Sequence, residues 1–191
     1  MRTLVYFVGT TLDGYIAGSH GETDFFPVTD ELVSWMVDHY PETLPTHIRR
    51  QLNIDHRENR VFDTVVMGRR TFEPAFAVPT TNPYAHLRQH VVSRTLQLTD
   101  TPARIESGEP LETVQRLKEQ PSDKSIWLCG GGTLAGSVLP EIDEILLKRY
   151  PVIAGAGIHL FASEFHPRRF TATQVIEFTD GTEVTRLTRV S

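Results

Sequence analysis

Ser125-Ile-Trp-Leu-Cys-Gly-Gly-Gly-Thr-Leu-Ala-Gly136 carries an apolar stretch directly into three glycines and then into a helical pattern. Ser125 to Cys129 reads as a buried strand, and the residues after the glycines suit a helix from about Thr133 to Leu139, closed by Pro140. Glycines let backbone N–H groups approach a ligand closely, and the positive end of a following helix favours an anion. The passage predicts a cradle for a pyrophosphate.

Two further junctions are similar. Phe62 to Met67 is a short apolar strand ending at Gly68, after which Arg69-Arg-Thr-Phe-Glu73 opens a helix with Pro74 in its first turn. His90 to Ser93 is a third short strand, leading to Arg94-Thr95. Around them, Leu4 to Thr10 reads as a first buried strand, with turn chemistry in Asp13-Gly14. A helix is expected from near Asp30, capped at Thr29-Asp30, and a short one around His47 to Leu52 in the otherwise unreadable stretch 38–59. A turn-rich loop from Pro79 to Pro83, a strand near Arg104-Ile105, a helix over Pro110 to Glu119 and a strand over Glu144 to Tyr150 follow. The tail from Phe170 to Val190 alternates apolar and polar residues around Thr179-Asp-Gly-Thr182, which predicts an antiparallel hairpin. The order implies an α/β fold: a mixed, mostly parallel sheet flanked by helices, with a C-terminal antiparallel hairpin.

With 191 residues, 39% of them hydrophobic, the chain has material for one sizeable core, and a single domain over 1–191 is expected. A formal net charge of −5 without a long basic run argues against nucleic-acid or anionic-membrane partners. The lone Cys129 excludes an intrachain disulfide, and no zinc-ligand set is visible, so no metal is expected. A reducing cytoplasm suits this composition. The N-terminus lacks a cleavage pattern, and no apolar run approaches the roughly 20 residues that cross a bilayer, so a soluble, unprocessed chain is expected.

Three strands thus end at residues suited to an anion: Gly68-Arg69-Arg70-Thr71, Ser93-Arg94-Thr95 and Gly130-Gly131-Gly132-Thr133. In an open parallel sheet, ligands bind outside the carboxyl ends of the strands, where these three can converge. Glycine amides would hold a pyrophosphate, and Ser, Thr and Arg side chains a terminal monophosphate. A ligand with both groups is NADP(H). The glycines form neither the Gly-x-Gly-x-x-Gly fingerprint nor a Gly-Lys-Ser/Thr loop, which disfavours a Rossmann dehydrogenase and a P-loop hydrolase.

The chain resembles the dihydrofolate reductase-like superfamily, in the bacterial branch that shares its fold with the reductase domain of riboflavin biosynthesis. The resemblance is carried by Leu12-Asp-Gly-Tyr-Ile-Ala17, Val65-Val-Met-Gly-Arg-Arg-Thr-Phe-Glu73, Val91-Val-Ser-Arg94 and Ile126-Trp-Leu-Cys-Gly-Gly-Gly-Thr-Leu134. It continues in Leu139-Pro-Glu-Ile-Asp-Glu-Ile145 and Pro151-Val-Ile-Ala-Gly-Ala-Gly-Ile-His-Leu-Phe161, the last of which favours the riboflavin-reductase-like branch. It implies a twisted mixed sheet, NADPH as hydride donor and a substrate pocket beside the nicotinamide.

Carried over by residue, the resemblance puts Gly68 to Thr71 at the cofactor phosphates, with Arg69 or Arg70 near the adenosine 2′-phosphate. Ser93 and Arg94, continued by Thr95, form a second clamp. Gly130 to Leu134 match the pyrophosphate turn, and Gly9, Thr10 and Ile16 border the nicotinamide. Asp30 stands nearest to the carboxylate with which folate reductases grip the pterin ring, although its flanks depart from the folate pattern and a simple helix cap explains it equally. Asp13 reads as a turn former, and Cys129, Trp35 and Trp127 as packing residues. The expected activity is NADPH-dependent hydride transfer to a C=N or C=O bond of a pterin- or pyrimidine-type heterocycle. The competing reading is a non-catalytic NADP(H)-binding sensor or interaction module of the same fold. A homodimer is expected, from relatives of this architecture.

Overall fold

The computed structural model describes residues 1–77 and 80–190. Pro79, where the turn-rich loop was expected to begin, lies outside them. Eight strands form one sheet in the spatial order Arg104–Glu106 (β5), Arg88–Val92 (β4), Phe62–Gly68 (β3), Ser125–Gly130 (β6), Leu4–Thr10 (β1), Glu144–Arg149 (β7), Glu183–Arg189 (β10) and Phe170–Glu177 (β9). From β5 to β7 all neighbours are parallel, and the closing hairpin of β9 and β10 is antiparallel. The helices are Asp30–His39 (α1), Thr46–Gln51 (α2), Arg69–Phe72 (α3), Pro110–Glu119 (α4) and Gly132–Ser137 (α5). A pairing not foreseen from sequence joins Tyr15–Ala17 (β2) to Ile158–His159 (β8) outside the main sheet.

The central strands are apolar throughout because both of their faces are covered. Val5 and Phe7 of β1, Val65 and Met67 of β3 and Trp127 of β6 face one core layer with Leu32 and Met36 of α1 and Phe72 of α3. Their alternates Leu4, Tyr6, Val66, Ile126 and Leu128 face the opposite layer with Val114 and Leu117 of α4 and Leu134 and Ala135 of α5. Since β3, β4, β6, β1 and β7 run parallel, their carboxyl ends share one rim. The fold is the mixed, mostly parallel sheet with a C-terminal hairpin that the sequence implied.

Several boundaries differ from expectation. α3 ends at Phe72 and gives way to a 3-10 turn over Glu73–Ala77, because Pro74 has no N–H to offer Arg70 O, so Pro74 lies past the first turn. α5 starts at Gly132 and stops at Ser137, and Pro140 sits in a separate 3-10 turn over Leu139–Glu141. β4 ends at Val92, which leaves Ser93 at the head of a loop, its N–H on Glu106 O at 2.9 Å.

The stretch 38–59 is held by buried polar groups rather than by an apolar pattern. Glu42 is fully buried and accepts three backbone N–H groups, from Val61 (2.6 Å) and Phe62 (2.7 Å) on Oε1 and Arg60 (3.1 Å) on Oε2. Arg49, 1% exposed, donates to Pro41 O (2.8 Å) and Arg57 O (2.6 Å). Glu42→Ala strips three buried donors of their acceptor, and urea unfolding is expected to show a loss of about 2–4 kcal/mol. Retention of wild-type stability would show these N–H groups to be satisfied otherwise.

Candidate cofactor and substrate site

The glycine end of β6 lies against the start of α3. A Cβ built on Gly130 or on Gly131 would stand 3.9 Å from Thr71 Oγ1, and one on Gly131 would stand 3.8 Å from Ile16 Cδ1. Gly68 approaches from β3, with Gly130 O at 4.0 Å from its own Cβ position. Gly130 has φ +130°, backbone that disfavours any side chain, and the Gly130–Gly131 peptide is cis. The loop after β4 joins the group through Arg69, whose Nη1 donates to Thr95 Oγ1 at 3.2 Å. The three strand ends named in the sequence therefore meet.

The passage into α5 has two parts. Gly130 and Gly131 keep ordinary van der Waals room, whereas a Cβ on Gly132 would stand 2.0 Å from His159 O and one on Gly136 2.0 Å from Ala162 O. Gly132 is thus also a packing glycine, seated against the backbone of segment 159–162. Segment 159–162 lies across α5, with Ala162 N on Gly132 O at 3.0 Å, so β8 holds β2 and its Ile16 over Gly131. The first helical bond of α5 is Ala135 N on Gly131 O (2.9 Å), and helix geometry directs the preceding N–H groups out of its start. Leu134 has its side chain in the core and Thr133 is exposed.

The family model described as RibD C-terminal domain matches residues 2–184. The chain belongs to the RibD C-terminal domain family. Among curated proteins, this domain is 30% identical over 173 residues to the uncharacterized protein YyaP of Bacillus subtilis (strain 168), covering 84% of this chain and 80% of that one. Among solved structures it is similar to a putative riboflavin biosynthesis protein from Shewanella sp. PV-4, with TM-score 0.71, 23% identity and full coverage of both chains. It is also similar to the dihydrofolate reductase of Enterococcus faecalis complexed with NADP(H), with TM-score 0.63, 13% identity and coverage of 99% and 97%. The fold of this RibD C-terminal domain is dihydrofolate reductase-like.

The remaining candidates divide. Thr10 is buried and its hydroxyl donates to Tyr15 O (3.3 Å) and Thr11 O (3.2 Å), bracing the loop that carries Ile16. Gly9 leaves space that the Tyr150 ring fills, since a Cβ there would stand 2.9 Å from Tyr150 Cε2. Arg69 is also paired with Glu73 at 3.4 Å, Arg70 is exposed, and Arg94 is 76% exposed with Glu109 at 4.0 Å. Ser93 Oγ accepts from Leu96 N (2.9 Å) and Thr95 N (3.3 Å), fixing that turn. Asp13 accepts from Thr11 Oγ1 (2.6 Å), Ala154 N (3.1 Å) and Gly155 N (2.7 Å). The Thr11 hydroxyl first, then these amides, bring its carboxyl down to about 2, so Asp13 is an ionised tie between two loops rather than a proton donor.

Asp30 departs from its expected role. Thr29 is the cap, its Oγ1 accepting from Leu32 N at 3.3 Å, and Asp30 is exposed. Two residues correspond to about 200° of helix, so Asp30 turns away from the Leu32 and Met36 stripe that packs on the sheet. No carboxylate of α1 lies on that stripe.

A residue missed in the sequence stands there instead. Lys148 of β7 alternates with Leu146 and Tyr150, both in the α1-side core, and its Nζ lies 3.9 Å from Met36 Sδ and 4.9 Å from the centre of the Phe7 ring. A lysine at an inward position of an apolar strand was the available signal. Desolvation brings its ammonium down to about 8, while burial pushes the neighbouring Cys129 thiol up to about 12. Cys129 is therefore a neutral packing group. Trp127 is likewise core, its indole N–H on Phe7 O at 3.1 Å. Gly132→Ala drives a methyl into a backbone carbonyl, and thermal unfolding is expected to register about 1–3 kcal/mol of destabilisation. An unchanged melting temperature would mean that segment 159–162 is not seated on α5.

Proposed function

We propose that this RibD C-terminal domain is an NADPH-dependent reductase that transfers hydride to a C=N or C=O bond of a small heterocycle of pterin or pyrimidine type. The observation that carries the reading is the meeting of Gly68, Thr71, Ile16, Gly130 and Gly131 at one rim, joined through Arg69 to the Ser93–Thr95 turn. This arrangement suits a dinucleotide. Gly130 and Gly131 lack the side chains that would fill the cradle, and the N–H groups entering α5 and the Thr71 hydroxyl supply donors for a pyrophosphate.

The cofactor, when bound, supplies the hydride. The chain's own contribution is to hold it, to orient the acceptor and to keep water away. Ile16, pinned over Gly131 by the β2–β8 pair, is the apolar wall beside the expected nicotinamide position. Phe7, Leu32 and Met36 pack the α1 side of the sheet with apolar groups. The Arg94 guanidinium is open to solvent and its nearest carboxylate, Glu109, is at 4.0 Å, which makes it the better candidate for an added phosphate than Arg69 with its two partners.

Arg94→Ala is expected to weaken NADPH binding about 10–100-fold, the worth of a charged hydrogen bond, and to leave NADH binding within about twofold. Titration calorimetry with both coenzymes measures this. Equal losses would remove Arg94 from the 2′-phosphate, and the absence of NADPH binding to the unaltered protein would remove the reductase reading.

A further inference from the structure

The interior cations of this protein are matched by anions or carbonyl groups. Lys118 reaches Asp143 at 2.8 Å and Glu141 at 3.2 Å, Arg2 pairs with Asp63, and Arg49 is spent on backbone carbonyls. Lys148, half-buried, is the exception among the described residues. The groups against its Nζ are a thioether and an aromatic ring, and no carboxylate lies within ion-pair distance. An ammonium held among apolar groups without a counter-ion is unfavourable to the fold, and such arrangements concentrate at functional sites.

Its place in the sheet gives the exception a meaning. Lys148 is the parallel register partner of Gly9, on the last turns of β7 and β1 before the rim, and it faces α1 rather than α5. It lies on the apolar side that Phe7, Leu32 and Met36 pack, with β1 between its strand and the glycine end of β6. We infer that Lys148 touches the substrate and donates the proton that completes its reduction, its ammonium facing the heteroatom of the C=N or C=O bond in a planar heterocycle. This deepens the reductase reading above and rests on it.

The step balances. The hydride, with both electrons, would be supplied to the carbon of the double bond by NADPH held at the glycine rim, which would be oxidised to NADP⁺. The π pair moves to the nitrogen or oxygen, which takes a proton from Lys148 Nζ. The neutral amine regains that proton from solvent in the next cycle. The surroundings suit this exchange, since desolvation holds the ammonium at about 8, close enough to neutrality to give and regain a proton readily. The groups facing it are Phe7 from β1, Met36 from α1, Val184 from β10 and Cys129 from β6, whose thiol burial keeps neutral through this range. Nothing else in this set titrates near pH 8. Because the folded value is lowered, the ammonium is present below pH 8 and lost above it.

The test combines a titration with two variants of the full chain. Lysines are converted to their ¹³C-dimethyl forms, the Lys148 signal is identified by its loss in Lys148→Met, and its pH titration is followed by NMR with saturating NADPH and with saturating NADP⁺. The expected midpoint is near 8 with NADPH, and lower by about half a unit or more with NADP⁺, whose nicotinamide carries a positive charge close by. Identical titrations in the two complexes would place the amine away from the reacting centre and overturn the inference, whichever acceptor is the natural one. With any pterin or pyrimidine that the unaltered protein reduces, Lys148→Met is expected to lower kcat roughly 10²–10⁴-fold and to abolish its decline above pH 8. Its NADPH affinity should be unchanged and its melting temperature equal or higher, since the substitution removes an unpaired ammonium from an apolar layer. Lys148→Arg, which keeps the charge but cannot release the proton, should be equally slow. Full kcat in either variant would overturn the inference while leaving the reductase reading in place, and failure of the unaltered protein to bind NADPH would remove that reading itself.

Discussion

Backbone meeting backbone at the start of α5 is the constraint on which the rest of the rim depends. With no Cβ at Gly132 or Gly136, segment 159–162 can lie directly on the helix, and Ala162 N reaches Gly132 O. That contact fixes β8, β8 fixes β2, and β2 carries Ile16 to Gly131. The same glycine run therefore works in two ways. Its first two members meet Thr71 and Ile16 at ordinary contact distance, and its third packs backbone against backbone.

The sheet divides the labour between its faces. On the α4 and α5 side, Leu4, Tyr6, Leu128, Leu134 and Ile142 make a continuous apolar layer, and Tyr6 spends its hydroxyl on Leu160 O at 3.0 Å. The α1 side is less uniform. There Trp127, Phe62, Phe7 and Tyr40 give way toward the rim to Cys129, Lys148 and Tyr150, with the Phe26 ring tilted against Tyr150 at 4.6 Å between ring centres. A polar group inside an apolar layer is costly unless it is matched, and Lys148 is the place where this layer breaks that rule. The α1 face is therefore the less uniform of the two layers.

Membership of the RibD C-terminal domain family and a dihydrofolate reductase-like fold agree with this division, since both point to reductase-type architecture. The pterin-gripping carboxylate sought at Asp30 is absent from the sheet-facing stripe of α1, which carries Leu32 and Met36. In its place the α1 face offers a cation.

What the sequence determined by itself was whatever local pattern controls. Apolar runs such as Val65 to Met67 and Ile126 to Leu128 must be buried strands, and Asp180-Gly181 must turn the final hairpin. Stretch 38–59 resisted reading because it is organised by Glu42 and Arg49, polar residues whose partners lie up to 20 positions away. The tertiary structure alone decided that Gly132 packs while Gly130 and Gly131 stay open, that β2 pairs with β8, that Thr29 and not Asp30 caps α1, and that Lys148 faces inward without a counter-ion. Each of these depends on which backbone or side chain arrives from a distant segment. Periodicity and propensity describe a residue's neighbours along the chain, and a site is made by its neighbours across it.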